Sequence, residues 1–300
     1  MRLSLAMAVG AMVLGGWFSG EVRAQEYRGN VDVEAVVLPV TVRTSGGKVT
    51  SKVSKSDFRL KVDGLSVPIR DLSREADLPL ALGFILDTSG SMTGRKLRAG
   101  QSLAKAFLSE RRAEDRLALW TFGDDRVLER FPFGMSWYLL PRVLETIKPW
   151  STTALYDMIQ RVPDVMENAR HPRRAAILVT DGVDNASKMS AEEAGKLAEG
   201  LHTPIYVLGV EPPPPVEGED HLSYEEILKI IAQGSGGYYR RIPRLDQMPE
   251  VTRALLEELS TRYILTFETS GIGARKWRPV EVTVEGYEVT VRKGYVGTLP

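Results

Sequence analysis

The 300-residue sequence has no cysteine, so neither disulfides nor a lipid-modified N-terminal cysteine can belong to this protein. Histidine is scarce, with only His171, His202 and His221. The first two stand just ahead of predicted strands, at their amino ends, and the third follows an acidic loop. None is placed to activate a serine nucleophile. A Gly-x-x-x-x-Gly-Lys-Ser/Thr phosphate loop is missing as well, which argues against an ATP-driven chelatase subunit. Net charge is also absent: lysine plus arginine and aspartate plus glutamate number 39 each, so no bulk field draws the chain to nucleic acid or to an anionic membrane. Any partner must be recognised by a site.

The apolar run at the start, Leu3 to Phe18, is short for a membrane span, and Glu21 and Arg23 close it off. Arg2 gives it a minimal basic flank, and Val22-Arg23-Ala24 ends it in the small-residue pattern cut by signal peptidase. Residues 1–24 therefore read as a cleaved secretory leader in preference to a retained N-terminal anchor. The expected product is exported to the periplasm or the external medium, begins near Gln25 and keeps no membrane span. A 43% hydrophobic content permits a sizeable core, enough for one large or two modest domains.

Two rhythms follow. From Val31 to Arg43 apolar and polar residues alternate, with a phase slip at Val36-Val37 that predicts a bulge. Phe58, Leu60 and Val62 alternate next, Asp63-Gly64 signals a hairpin, and Val67 and Ile69 return. From Leu80 the pattern changes to strands alternating with helices, which predicts an α/β, doubly wound, mostly parallel sheet. Leu97, Ala104, Phe107 and Leu108 mark one helical stripe. Leu155, Met158, Ile159, Val162 and Met166 mark another, with Pro163 expected to kink or divide it. Ser190 with Glu193, and Ser223 with Glu226, are capping boxes. Met248, Val251, Leu255 and Leu259 mark a closing helix. Beyond it period two returns in Tyr263–Phe267, Val280–Val284 and Tyr287–Val291, the last two joined at Glu285-Gly286. So few strands are marginal alone, so the N-terminal β segment, 25–75, and the C-terminal one, 261–300, are expected to pair into one small sandwich flanking an α/β domain at 76–260.

The chemistry concentrates at strand ends. Leu80 to Leu86 is a short apolar run of the kind buried in a parallel sheet, and it stops at Asp87, with Ser89 and Ser91 just behind. In open α/β sheets ligands bind beyond the carboxyl ends of the strands. One carboxylate and two hydroxyls are hard oxygen donors that suit Mg²⁺ or Ca²⁺, not Zn²⁺. Taken alone, Asp-x-Ser-x-Ser is more often a solvated turn or a helix cap. Later stretches supply companions. Ser151-Thr152-Thr153 precedes a helical pattern, and Ala175 to Val179 is a second buried strand ending in Thr180-Asp181-Gly182. Asp184 and Asn185, close behind, could tune a site but more often form local turns.

This set resembles the metal-ion-dependent adhesion site of a von Willebrand factor type A domain. Asp87, Ser89 and Ser91 match that family's Asp-x-Ser-x-Ser loop, Thr153 its second loop and Asp181 its third, in the family's order and spacing. The whole layout is similar to bacterial secreted proteins in which a type A domain is inserted between two β segments. The resemblance implies a divalent ion, Mg²⁺ or else Ca²⁺ or Mn²⁺, held directly by Ser89, Ser91 and Thr153, with Asp87 and Asp181 acting largely through water. Such an ion is left under-neutralised and seeks an external carboxylate. The expected function is thus a non-catalytic, secreted protein-binding module gripping an Asp or Glu of its partner. The alternatives are a metal-dependent hydrolase and a scaffold whose metal only stabilises loops. Met92, Thr93 and Trp150 are expected to rim the ion and contact the partner, although Trp150 could equally be buried under the following helix. Neither the partner nor the oligomeric state is legible.

Overall fold

A computed structural model describes residues 33–74, 78–124, 126–150, 152–171, 173–214, 222–270 and 277–296. The leader at 1–24 and His221 lie outside the described residues.

Period-two sequence at both ends of the chain forms two antiparallel sheets. The N-terminal end supplies β1 (Val33–Thr44), β2 (Phe58–Val62), β3 (Leu65–Ser66) and β4 (Ile69–Arg74). The C-terminal end supplies β11 (Tyr263–Ser270), β12 (Trp277–Val284), β13 (Tyr287–Thr290) and β14 (Gly294–Val296). One sheet runs β13-β1-β11-β4 and the other β14-β12-β2-β3, so each mixes strands from both ends of the chain. Their facing sides share one core, with Val36, Leu38, Val40, Leu265 and Phe267 against Phe58, Leu60, Val62, Val282 and Val284. Asp63 and Gly64 both take positive φ, the twist that a two-residue hairpin between right-twisted strands requires.

One strand-level expectation is corrected. The bulge at Val36-Val37 is not there: β1 pairs with β11 without interruption from Val33↔Ser270 to Val40↔Tyr263. Ala35 and Val37 stay on the outer face, exposed, while Val36 joins the core. A register shift falls instead between β11 and β4, at Thr266/Phe267, where β4 carries the extra residue. β12 and β13 are joined at Glu285-Gly286, as expected, and lie in different sheets, β13 on β1 and β12 on β2.

Between the β segments lies the α/β body. Its elements are β5 (Leu80–Asp87), α1 (Arg95–Glu110), β6 (Arg116–Gly123), β7 (Arg126–Phe131), α2 (Leu140–Thr146), α3 (Leu155–Val165), β8 (Arg173–Thr180), α4 (Ala191–Glu199), β9 (Ile205–Val210), α5 (Tyr224–Gly234), β10 (Tyr239–Ile242) and α6 (Met248–Thr261). The sheet order is β10-β9-β8-β5-β6-β7, parallel except for the antiparallel edge strand β7. All eight residues of β5 are buried, as expected of a strand covered on both faces. Phe84, Leu86, Ile177 and Val179 meet α1, α2 and α6 through Leu103, Phe107, Leu144 and Leu255. Ile85, Leu178 and Val207 meet α3, α4 and α5 through Ile159, Ala198 and Ile231. Pro163 does not divide α3, which runs to Val165 with the proline in its last turn. Gly237 is required at the entry to β10, since a Cβ there would lie 2.1 Å from the Ile205 carbonyl oxygen.

Candidate metal centre

The strands β5 and β8 are parallel neighbours, paired up to Leu86↔Val179, and their connections leave in opposite directions. β5 leads through α1 to β6 on one side, and β8 leads through α4 to β9 on the other. The crevice at their carboxyl ends is the switch point where open α/β sheets bind ligands. Asp87 ends β5, and Asp181 directly follows β8.

Both carboxylates are buried, Asp87 at 0% and Asp181 at 1% exposure. Asp87 is tied down on both oxygens: Oδ1 accepts from the Ser89 backbone N–H at 2.8 Å and Oδ2 from the Thr180 hydroxyl at 2.7 Å. Burial nevertheless pushes its carboxyl up to about 6, with the Asp181 charge adding to the rise and the bonds from Thr180 and Ser89 opposing it. Asp181 is less satisfied. Its Oδ2 pairs with the Lys96 ammonium at 3.0 Å, while its Oδ1 is buried with no hydrogen-bond partner.

The hydroxyls come from two loops. Ser89 is buried and Ser91 exposed, and their Oγ atoms stand 3.1 Å apart in the turn between β5 and α1. Thr153 is buried, and among the described residues nothing hydrogen-bonds its hydroxyl. Its loop is stitched to both others. The Trp150 backbone N–H donates to the Thr88 carbonyl at 2.9 Å, the Thr153 N–H donates to Asn185 Oδ1 at 2.8 Å, and the Asn185 N–H returns to the Thr153 carbonyl at 3.0 Å. Asp184 accepts from the N–H groups of Leu155 and Tyr156, the exposed donors at the start of α3. Asn185 and Asp184 thus position the Thr153 loop. Gly182, at φ 92°, turns the chain away and returns its N–H to the Thr180 hydroxyl.

The five sequence-matched positions thereby lie on three loops that hydrogen bonds tie together at the carboxyl ends of β5 and β8. An orphaned buried carboxylate oxygen among neutral hydroxyls is a donor set that fits a hard divalent cation, and a buried polar atom without a partner calls for an explanation of this kind. Chain pattern missed Thr180 and Lys96. A lysine in the first turn of a predicted helix, where the helix end is already positive, was the available signal for the second.

The expected rim is only partly found. Met92 is fully buried in the core beneath α1 and is no part of the surface, because the 3₁₀ turn Gly90–Met92 tucks it inward. Thr93 is exposed. Trp150 is half-buried, its indole N–H donating to the Thr88 hydroxyl at 3.0 Å while the Arg126 guanidinium lies 4.1 Å from its ring centroid. The two described histidines lie away from this end of the sheet. His171 bonds the Glu114 carbonyl, and His202 Nδ1 accepts from Arg292, both at the amino ends of strands.

Residues 82–183 match the family model of the von Willebrand factor type A domain, and the chain carries a domain of that type. Among solved structures it is similar to a von Willebrand factor type A protein from Catenulispora acidiphila, with a TM-score of 0.52 at 15% identity, over 89% of this chain and 74% of that one. That likeness extends to the fold. Weaker similarity reaches an aerotolerance-related membrane protein from Bacteroides fragilis, with a TM-score of 0.48 and 20% identity over 60% of this chain and 98% of that one. The vWF domain of the type V pili tip protein Mfa5 from Porphyromonas gingivalis gives 0.45 and 12% over 60% and 95%. No curated protein matches the chain. Among the described residues no helix is long and apolar enough to cross a membrane.

Proposed function

We propose that this chain is an exported, non-catalytic binding module that grips a carboxylate of a protein partner through a divalent ion at the switch point. Ser89, Ser91 and Thr153 would hold the ion, with Asp87 and Asp181 behind them. When bound, the ion supplies a positive centre that hydroxyl ligands leave under-neutralised, so that an Asp or Glu from outside is attracted to it. The chain's own residues do the remaining work. Thr180 and the Ser89 N–H orient Asp87, and Asn185 holds the Thr153 loop against the loop after β8.

The observation that carries this reading is the buried, unpartnered Asp181 Oδ1 at a strand end where the Ser89–Ser91 turn and the Thr153 loop are tied in by hydrogen bonds. A hydrolase would also need a positioned base, and the two described histidines lie at strand amino ends. A metal serving only to brace the loops is less well supported, since backbone and side-chain bonds already tie the three loops together. The test is calorimetric titration of the mature protein with Mg²⁺, Ca²⁺ and Mn²⁺, alongside Asp181→Ala, followed by partner capture with and without EDTA. The expected result is uptake by the wild type, none by Asp181→Ala, and release of the partner by EDTA. No uptake at millimolar ion, or a partner that stays bound in EDTA, would overturn the reading. Peptide mass spectrometry of the exported protein should find Gln25 first; an intact Met1 would refute cleavage.

A further inference from the structure

We propose that Lys96 is a tethered cation built into this site: its ammonium holds Asp181 while the site carries no divalent ion, and withdraws toward solvent to admit one. The inference rests on reading the crevice as a divalent-ion site.

Lys96 lies in the first turn of α1, whose amino end carries unsatisfied N–H groups and a partial positive charge. The preceding Gly94 offers no side chain to cap that end. A lysine there opposes the helix dipole, so helix formation does not explain it. Its partner does: Nζ stands 3.0 Å from Asp181 Oδ2 across 85 residues of sequence. No other basic side chain pairs with Asp87 or Asp181 among the described residues.

The charge count is then unequal. Two carboxylates are buried side by side with one ammonium, and Asp181 Oδ1 is left over. A divalent cation held in front of these carboxylates would lie close to the ammonium, and two cations on either side of one carboxylate repel in a poorly screened crevice. Lys96 is built to leave. Its side chain is 22% exposed where that of Asp181 is 2%, and a lysine is a compact charge on a flexible four-carbon stem. Ion affinity is therefore lowered by the fraction of molecules in which Lys96 occupies the crevice. In return, the ion-free chain is not left with two buried carboxylates and no counter-charge.

The experiment compares wild type with Lys96→Gln, Lys96→Met and Lys96→Arg by calorimetric titration with Mg²⁺ alone, with folding checked by circular dichroism. Acetylation of Lys96 in the wild type, followed by peptide mass spectrometry with and without Mg²⁺, reports directly where the amine is. Removing the charge should tighten Mg²⁺ binding roughly tenfold, whereas Lys96→Arg should not tighten it. Mg²⁺ should accelerate Lys96 acetylation several-fold. Unchanged or weaker Mg²⁺ affinity in both neutral variants, or acetylation indifferent to Mg²⁺, would overturn the role of Lys96 while leaving the ion site standing. If neither wild type nor the neutral variants took up any ion, the ion-site reading would fail, and this inference with it.

Discussion

Two buried carboxylates in this protein have opposite surroundings. Glu258, near the end of α6, is 4% exposed and uses both oxygens: Oε1 accepts from the Thr41 hydroxyl at 3.2 Å, and Oε2 pairs with Arg43. Those partners come from β1, so the cluster ties the β sandwich to the α/β body. Asp181 has a partly exposed lysine on one oxygen and nothing on the other. A structural carboxylate is saturated by groups on fixed strands, whereas one kept for a ligand retains unused capacity. The difference separates two roles that burial alone would not distinguish.

That contrast can be broken from its structural side first. Glu258→Ala should destabilise the fold by about 3 kcal/mol, because it strands the half-buried Arg43, and should leave ion uptake unchanged. Urea unfolding and calorimetry check the two halves. Thr180→Val removes the hydroxyl that donates to Asp87 and accepts from Gly182; it should cost about 1–2 kcal/mol in unfolding experiments and also weaken ion binding. Glu258→Gln is gentler, since an amide oxygen can still accept, and should cost less than about 1 kcal/mol at neutral pH.

Its pH dependence carries a sign. Burial raises the Glu258 carboxyl above the ordinary 4.5, against the pull of Arg43, Arg262 and Thr41. The folded chain holds that proton more tightly than the unfolded one, so the group favours folding most at acid pH, and this contribution is lost as pH rises from 4.5 through the folded value. Glu258→Gln should flatten unfolding free energy across that window; an unaltered pH profile would contradict the assignment. Smallest is the effect expected of Asp181→Asn in EDTA, under about 1 kcal/mol, because Lys96 can reach solvent once released. That variant should nevertheless lose the stabilisation that Mg²⁺ gives the wild type, read as an abolished melting shift.

Much was legible from the chain because it is local. Apolar runs stopping at Asp87 and ahead of Asp181, the capping boxes at Ser190 and Ser223, and the return to period two after Thr261 are short-range patterns, and the elements appear where those patterns place them. Sequence failed in two places. The phase slip at Val36-Val37 read as a bulge, and Met92 read as rim. Pairing with β11 settled the first, and packing beneath α1 settled the second.

The sequence by itself determined the main secondary elements, the doubly wound α/β class of the middle segment and the oxygen-bearing residues at its strand ends, since each follows from residue type and spacing over a few turns. Tertiary structure alone decided that β12 and β13 part into different sheets and that Glu258 meets Arg43 and Thr41. It alone decided that Lys96 faces Asp181. The reason is that burial and charge pairing depend on distance in space, and the groups concerned are brought together only when the sheets close.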